Sequence, residues 1–377
     1  LGPPARITAL LLLGLSLVAI VLRPAHDPDR LALGRIRVRQ PLSFSGYGAR
    51  VFHDAYFRGS TVVARDDDPV ASVAVIKWER ERPEGETTSR TIVLNGRSDS
   101  DTLLDRETLK LAAHIPALWA PRRERMLVIG LGTGVTAGEL SLYDDAGRID
   151  VAEISPSVIE FLPLFASHTA SVHLDPRLRI ELGDALLTLR RSRESWDLIA
   201  SEPSNPWVAG ADTLFTREFY RLVRSRLSPR GVFLQWIQLY DNDYEMLGIM
   251  LNTLRSEFPV LHAFRGSSGD LLVLASTRPF TPEDSQRALE LLEANTRVAT
   301  SLSDLGIHSI RDLLKREIRT LPTILSQTAQ NGINTMDHPR LHYLAGRAMF
   351  SGSSVTEEML RHGVNSNQPG FSRDRSR

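Results

Sequence analysis

Between Met126 and Ala275, short apolar and β-branched runs alternate with stretches of helical spacing. The runs are Met126–Ile129, Arg148–Ala152, Arg177–Glu181, Leu198–Ser201, Gly231–Ile237 and Leu271–Ala275. This alternation predicts an α/β domain with a parallel, doubly wound sheet. Right-handed crossovers then bring the carboxyl ends of the strands to one edge. Upstream, Ser60–Ala64, Ala71–Ile76 and Thr91–Leu94 are strand-like. They are separated by Asp66-Asp67-Asp68-Pro69 and Arg82-Pro83-Glu84-Gly85-Glu86, both turn chemistry, and predict a small antiparallel sheet. Leu103–Trp119 carries helical spacing. Further helices are predicted at Pro282–Asn295, at Ser303–Leu305 as a single turn stopped by Gly306, and at Ile310–Leu321. After about residue 363 the Asn/Ser/Arg/Gly composition predicts disorder.

Residues Ile7–Leu22 form an uncharged apolar run bounded by Arg6 and Arg23. Sixteen helical residues rise about 24 Å, slightly short of a ~30 Å hydrocarbon core, and flanking arginines snorkel. The run is read as a transmembrane helix; a signal-peptide core and a soluble buried helix are the alternatives. The chain begins with Leu1 rather than Met, as a fragment or a processed chain would, and upstream spans are then expected. The resulting division is a transmembrane helix at 1–23, a linker at 24–50 and a small β-domain with its connecting helix at 51–120. A Rossmann-like domain at 121–278 and a helical C-terminal extension at 279–377 complete it.

Acidic and basic residues balance at 45 each, so bulk charge does not point to nucleic acid. Arg190-Arg191-Ser192-Arg193 reads as a solvated face, and no nucleic-acid partner is expected. Cysteine is absent, which excludes disulfides, thiolate catalysis and cysteine-ligated metals. His338 and His342 lie four apart near Asp337 with no further partner at ligand spacing, so no metal site is expected.

The chemistry lies at the ends of the strand runs. Gly130-Leu131-Gly132-Thr133-Gly134 follows the first run and precedes a helix-compatible stretch. Glycines there let the backbone turn tightly and approach a ligand. Glu153 ends the second run, where a carboxylate can accept hydrogen bonds from both ribose hydroxyls. Ser155-Pro156 reads as a helix cap, so Glu153 is also a helix N-terminal charge. Asp184-Ala185 follows the third run; Asp184 is placed to meet an adenine amino group or to cap a helix. The loop spacing is Gly-x-Gly-x-Gly with Val135 after it, which favours an S-adenosyl-type ligand over a nicotinamide dinucleotide. Glu202 follows the fourth run, where a partly buried carboxylate has a raised pKa and can act as a base. Pro203 and Pro206 stiffen its loop, and Asn205 and Trp207 are pocket candidates. The fold class is therefore a doubly wound Rossmann-like domain of the S-adenosylmethionine-dependent transferase type, preceded by a small antiparallel β-domain and one N-terminal apolar helix.

These residues resemble the polyamine aminopropyltransferases, the spermidine synthases. The resemblance runs through Gly130–Gly134, Glu153, Asp184-Ala185 and Asp197–Trp207. It continues in Leu214–Tyr220, Leu227–Gly231 with Gln235, and upstream in Val93–Arg97 and Ile115-Pro116. It covers roughly residues 55–278. It is closest to a membrane-associated bacterial branch, which Ile7–Leu22 and Asn334–Pro339 also suit. The resemblance implies transfer of an aminopropyl group from decarboxylated S-adenosylmethionine, a co-substrate rather than a resident cofactor, to an amine such as putrescine. It implies Glu202 as catalytic base and Gly130, Gly132, Thr133, Gly134, Glu153, Asp184 and Ala185 as donor-binding residues. Asn205, Trp207, Gln235 and Asp101 are then substrate-binding. It also implies inner-membrane attachment with the catalytic domain in the cytoplasm, and leaves homo-oligomerisation open.

Two positions depart from that family. Thr133 stands where an aspartate holds the donor's aminopropyl ammonium, and Asn205 where a second aspartate follows the base. At about 1.5–3 kcal/mol per hydrogen bond to a charged group, these changes cost orders of magnitude in affinity for the usual substrates. Asp99, Asp101 and Asp105 are candidates to compensate. A methyltransferase using intact S-adenosylmethionine and a non-catalytic nucleoside-binding domain are the competing expectations.

Overall fold

The computed structural model describes residues 3–21, 28–32, 34, 42–82 and 85–362. The predicted tail after residue 363, part of the 24–50 linker and the Pro83-Glu84 turn centre lie outside them.

Helix α1 (Pro3–Val21) leaves its apolar side chains exposed, among them Leu10, Leu13 and Ile20. Its uncharged stretch within the helix is Ile7–Val21, about 22 Å long at 1.5 Å per residue. Among the described residues, no helix is long and apolar enough to cross a membrane. The stretch read as a linker contains a short helix, α2 (Pro28–Ala32), and runs into α3 (Ala49–Tyr56).

The small sheet has four strands where the sequence pattern indicates three: β1 (Ser60–Asp67), β2 (Ser72–Arg82), β3 (Gly85–Leu94) and β4 (Arg97–Asp101). They pair in sequence order, all antiparallel. β4 eludes the pattern because Arg-Ser-Asp-Ser-Asp is entirely polar, yet Arg97, Ser100 and Asp101 are buried. Asn95 (φ +50°) and Gly96 (φ +75°) form the two-residue turn before it, in the left-handed conformation such hairpins demand.

Helix α4 (Arg106–Trp119) leads into the second sheet. Its strands are β5 (Arg125–Ile129), β6 (Arg148–Glu153), β7 (Leu178–Leu182), β8 (Trp196–Ser201), β9 (Leu227–Gln238), β10 (Val260–Arg265) and β11 (Asp270–Ser276). Their order is β10-β11-β9-β8-β5-β6-β7. β5 to β9 are parallel, but β11 runs antiparallel to both neighbours, so the sheet is mixed rather than parallel throughout. The cause is the four-residue connection from Arg265 to Asp270, too short for a crossover. The run Val260–Arg265, interrupted by His262 and without period-two alternation, carries little strand signal, which is why the reversal is unexpected. This is a Rossmann-like, methyltransferase-type α/β fold.

Helices α5 (Val135–Leu140), α6 (Pro156–Phe161), α7 (Ala185–Arg191), α8 (Arg217–Arg226) and α9 (Tyr244–Glu257) alternate with the strands. The C-terminal region continues with α10 (Pro282–Ala294), α11 (Thr296–Ser303), α12 (Ile310–Leu314), α13 (Leu321–Gln327), α14 (Arg340–Ser351) and α15 (Glu357–His362). The expected single turn at Ser303–Leu305 begins at the last residue of α11 and continues as a turn beyond it, and Ile310–Leu321 is broken between α12 and α13. These helices are not an appendage. Leu292, Val298 and Leu313 join the core on one side of the sheet, while Ile324, Leu341 and Leu360 join the core on the other.

Candidate active site

The parallel strands end along one edge, and their end-loops are tied together by backbone. Gly130 N–H donates to the Ala152 carbonyl (3.0 Å), Gly183 N–H to Glu153 (2.8 Å) and Glu202 N–H to Ile129 (2.9 Å). These ties set the glycine loop, Glu153, Asp184 and Glu202 side by side. A cavity of about 510 Å³ opens between this edge and the small sheet. Gly130, Gly132, Glu153, Asp184, Ala185, Glu202, Asn205 and Trp207 all line it.

Gly130 must be glycine on two counts. Its φ is +90°, and an added Cβ would lie 2.7 Å from the Glu202 carbonyl oxygen. The close approach of β5 and β8 at this point brings the loop against the carboxylate-bearing segment.

Glu153 is pinned by its own surroundings. Oε2 accepts from Leu131 N–H (2.8 Å) and Oε1 from Ser155 N–H (2.8 Å). Burial nevertheless holds its carboxyl above the ordinary carboxylate range. Ser155 caps α6, with Pro156 in its first turn, and Asp184 caps α7 by accepting from Leu187 N–H (3.0 Å). The capping reading and the cavity-lining position hold together at Asp184.

Glu202 lies at the carboxyl end of β8. Oε2 accepts from the Thr136 hydroxyl (3.0 Å), while Oε1 is buried without a hydrogen-bond partner in the protein. Burial pushes its pKa up to about 8, with the Thr136 bond opposing. A carboxyl so poised takes a proton readily near neutral pH.

Four expected site residues lie elsewhere. Thr133 is fully buried behind Ser100, Oγ to Oγ1 3.2 Å, and Gly134 is the left-handed residue that starts α5; neither lines the cavity. Gln235 is buried within β9, its amide donating to the Trp236 carbonyl (3.0 Å). Asp101 is a structural anchor. It accepts from Leu103 N–H (2.7 Å), Leu104 N–H (2.8 Å) and the Thr91 hydroxyl. Asp105, accepting from Asp101 N–H (2.8 Å), is likewise not in the wall.

Three residues of the polar strand β4 do line the cavity: Arg97, Asp99 and Ser100. Arg97 is only 8% exposed. It donates to Asn205 Oδ1 (3.0 Å) and Asp99 Oδ1 (2.5 Å), and its guanidinium lies 5.0 Å from the centre of the Trp207 ring. Ser204 Oγ–H also donates to Asp99 Oδ1 (2.7 Å). Gln238, from the end of β9, joins this wall and donates to the Pro203 carbonyl (2.9 Å). The Asn95-Gly96 turn signal was the available clue to Arg97, since a turn there returns the chain as a paired strand.

Residues 107–261 match the family model of the spermine/spermidine synthase domain. A polyamine aminopropyltransferase of Alkaliphilus oremlandii is 34% identical over 122 residues, covering 32% of this chain and 43% of the relative. One of Lachnospira eligens is 30% identical over 179 residues, 46% of this chain and 61% of the relative. The chain thus spans about half the length of the curated relatives it matches. The crystal structure of spermidine synthase from Thermotoga maritima superposes with a TM-score of 0.51 at 21% identity, covering 64% of this chain and 87% of that one. A spermidine synthase in complex with the transition-state analogue AdoDATO gives the same TM-score and identity, covering 64% and 88%. The likeness in three dimensions shows the fold, and the similarity to the spermine/spermidine synthase domain extends over residues 107–261.

Proposed function

We propose that this protein is a transferase that moves an aminopropyl group from decarboxylated S-adenosylmethionine to an amine, with Glu202 as general base. The observation that carries the proposal is Glu202 itself, buried at the end of β8 beside the glycine loop with one oxygen unpartnered and its pKa near 8. In this reading Gly130, Gly132, Glu153, Asp184 and Ala185 hold the nucleoside. The ammonium of the acceptor gives a proton to Glu202, and the freed nitrogen lone pair attacks the methylene beside the sulfonium. The new C–N bond forms as the C–S bond breaks, and methylthioadenosine leaves with the bonding pair on sulfur. Positioning and general-base catalysis supply the acceleration.

Incubation with the decarboxylated donor and a panel of amines tests the reading; methylthioadenosine is the expected product. Thr133, buried and uncharged, favours one second reading, methyl transfer from intact S-adenosylmethionine, whose product is S-adenosylhomocysteine. Neither product, with donor binding retained, would leave a nucleoside-binding domain without catalysis. Attachment to a bacterial inner membrane through the exposed apolar face of α1, with the catalytic domain in the cytoplasm, belongs to the same proposal. Removal of residues 1–23 should move the protein from the membrane to the soluble fraction; retention at the membrane would sink that part. Homo-oligomerisation is a further part, read out by light scattering; a monomeric mass would remove it.

A further inference from the structure

We infer that a reactant of this cavity carries a carboxylate, received by Arg97 and the indole N–H of Trp207. The inference rests on the transferase reading and specifies its substrate class. The wall around Glu202 divides by hydrogen-bonding sense. Glu202 Oε1 and Gln238 Oε1 are buried acceptors without a partner in the protein. On the adjoining side Trp207 Nε1 is a buried donor without one, and Arg97 presents only donors. Its bonds to Asn205 and Asp99 use two of five guanidinium N–H groups.

Asp99 offsets the Arg97 charge, but its Oδ1 already receives both Arg97 and Ser204. At Asn205 the side-chain oxygen is likewise spent on Arg97. An ammonium brought to the Arg97–Trp207 part of this wall meets a guanidinium and an indole N–H, neither of which accepts a hydrogen bond, and the carboxylate beside them, Asp99, is already ion-paired with Arg97. A carboxylate meets a planar fork suited to bidentate pairing and a neighbouring N–H donor. The Trp207 ring holds the guanidinium from one face, so the fork is oriented before the ligand arrives. An amine at Glu202 and a carboxylate at Arg97 together describe an amino acid rather than a diamine.

Two sources share this chemistry: an acceptor amino acid, and the methionine moiety of an intact donor. Paired measurements separate them. In the first arm, titration calorimetry compares intact and decarboxylated S-adenosylmethionine. In the second, methylthioadenosine release from the decarboxylated donor compares 4-aminobutyrate with putrescine. In one arm the wild-type protein should prefer the carboxylate-bearing reactant. Arg97→Met should reduce that preference by about 10- to 100-fold, the worth of a charged hydrogen bond. Arg97→Lys, which keeps charge without the fork, should fall between.

Preference for putrescine and for the decarboxylated donor in the wild type would overturn the inference and leave aminopropyl transfer standing. A preference for the carboxylate-bearing reactant that Arg97→Met leaves intact would also overturn it. If the intact donor is preferred, responds to Arg97→Met and yields S-adenosylhomocysteine, aminopropyl transfer fails while the carboxylate assignment survives.

Discussion

The two halves of the cavity satisfy their polar groups differently. On the proposed nucleoside side, Glu153 accepts from the backbone N–H of Ser155 and from that of Leu131 in the neighbouring glycine loop, and Asp184 accepts from Leu187 N–H. On the Glu202 side, Glu202 Oε1, Trp207 Nε1 and Gln238 Oε1 are buried without partners in the protein. A buried unsatisfied polar atom costs about 1–3 kcal/mol. The first half is therefore preorganised scaffold that also lines the cavity. The second carries a stability cost that a ligand offering the matching groups relieves. The glycine loop, Glu153 and Asp184 also stand on neighbouring strand ends of the large sheet, whereas the other half joins β4 of the small sheet to loops of the large one.

Breaking the second half should have the largest effect. Glu202→Gln should lower kcat by about 10²–10⁴-fold, the usual worth of general-base catalysis, with donor affinity retained in calorimetry. Turnover equal to wild type would remove Glu202 as base.

The same residue sharpens the comparison through pH. Its base form is the ionised one and its pKa is about 8. Log kcat/KM should therefore rise with about unit slope up to pH 8 and then level. Stability should move the other way. Between the unfolded pKa near 4.5 and about 8, the folded state holds a proton that the unfolded state has released. Stability from this group is full below that window and is lost as pH rises through it. Denaturant midpoints across that range check the sign, and Glu202→Gln should flatten the slope. A rate profile with its midpoint near 5 would contradict burial as the cause.

Disturbing the satisfied half should cost less in rate and more in binding. Glu153→Gln should weaken donor affinity about 10- to 100-fold through loss of a charged acceptor, with kcat at saturation little changed. A fall in kcat without loss of affinity would reverse the division of labour between the halves. Asn205→Asp should have the smallest effect, a few-fold shift in acceptor KM, because Arg97 would pair with the new carboxylate before a cationic substrate does. A gain of a hundredfold for diamines would show instead that the aspartate acts on substrate directly.

Legibility in the sequence followed the range of the interactions. The glycine loop, the caps at Ser155 and Asp184 and the carboxylate after β8 were readable because each is specified by neighbours within a few residues. The polar strand β4 was not, because alternation of hydrophobic and polar residues carries no information where the buried residues are themselves Arg97 and Asp101. The C-terminal region was visible as helical, but α14 and α15 were not singled out, and their Leu341 and Leu360 do not announce in sequence which side of the sheet they cover.

By itself, the sequence determined the alternation of strands and helices through β5 to β9 and set Gly130, Gly132, Glu153, Asp184, Ala185 and Glu202 at strand ends, since strand ends, turn glycines and helix caps are local devices. Only the tertiary structure decided that β11 is reversed, that Thr133 and Asp101 serve the scaffold, and that Arg97 stands in the wall beside Glu202. Arg97 and Asn205 are 108 residues apart in the chain. Their contact depends on how one sheet docks over the edge of another, and that docking is set by packing across the whole molecule rather than by the pattern around either residue.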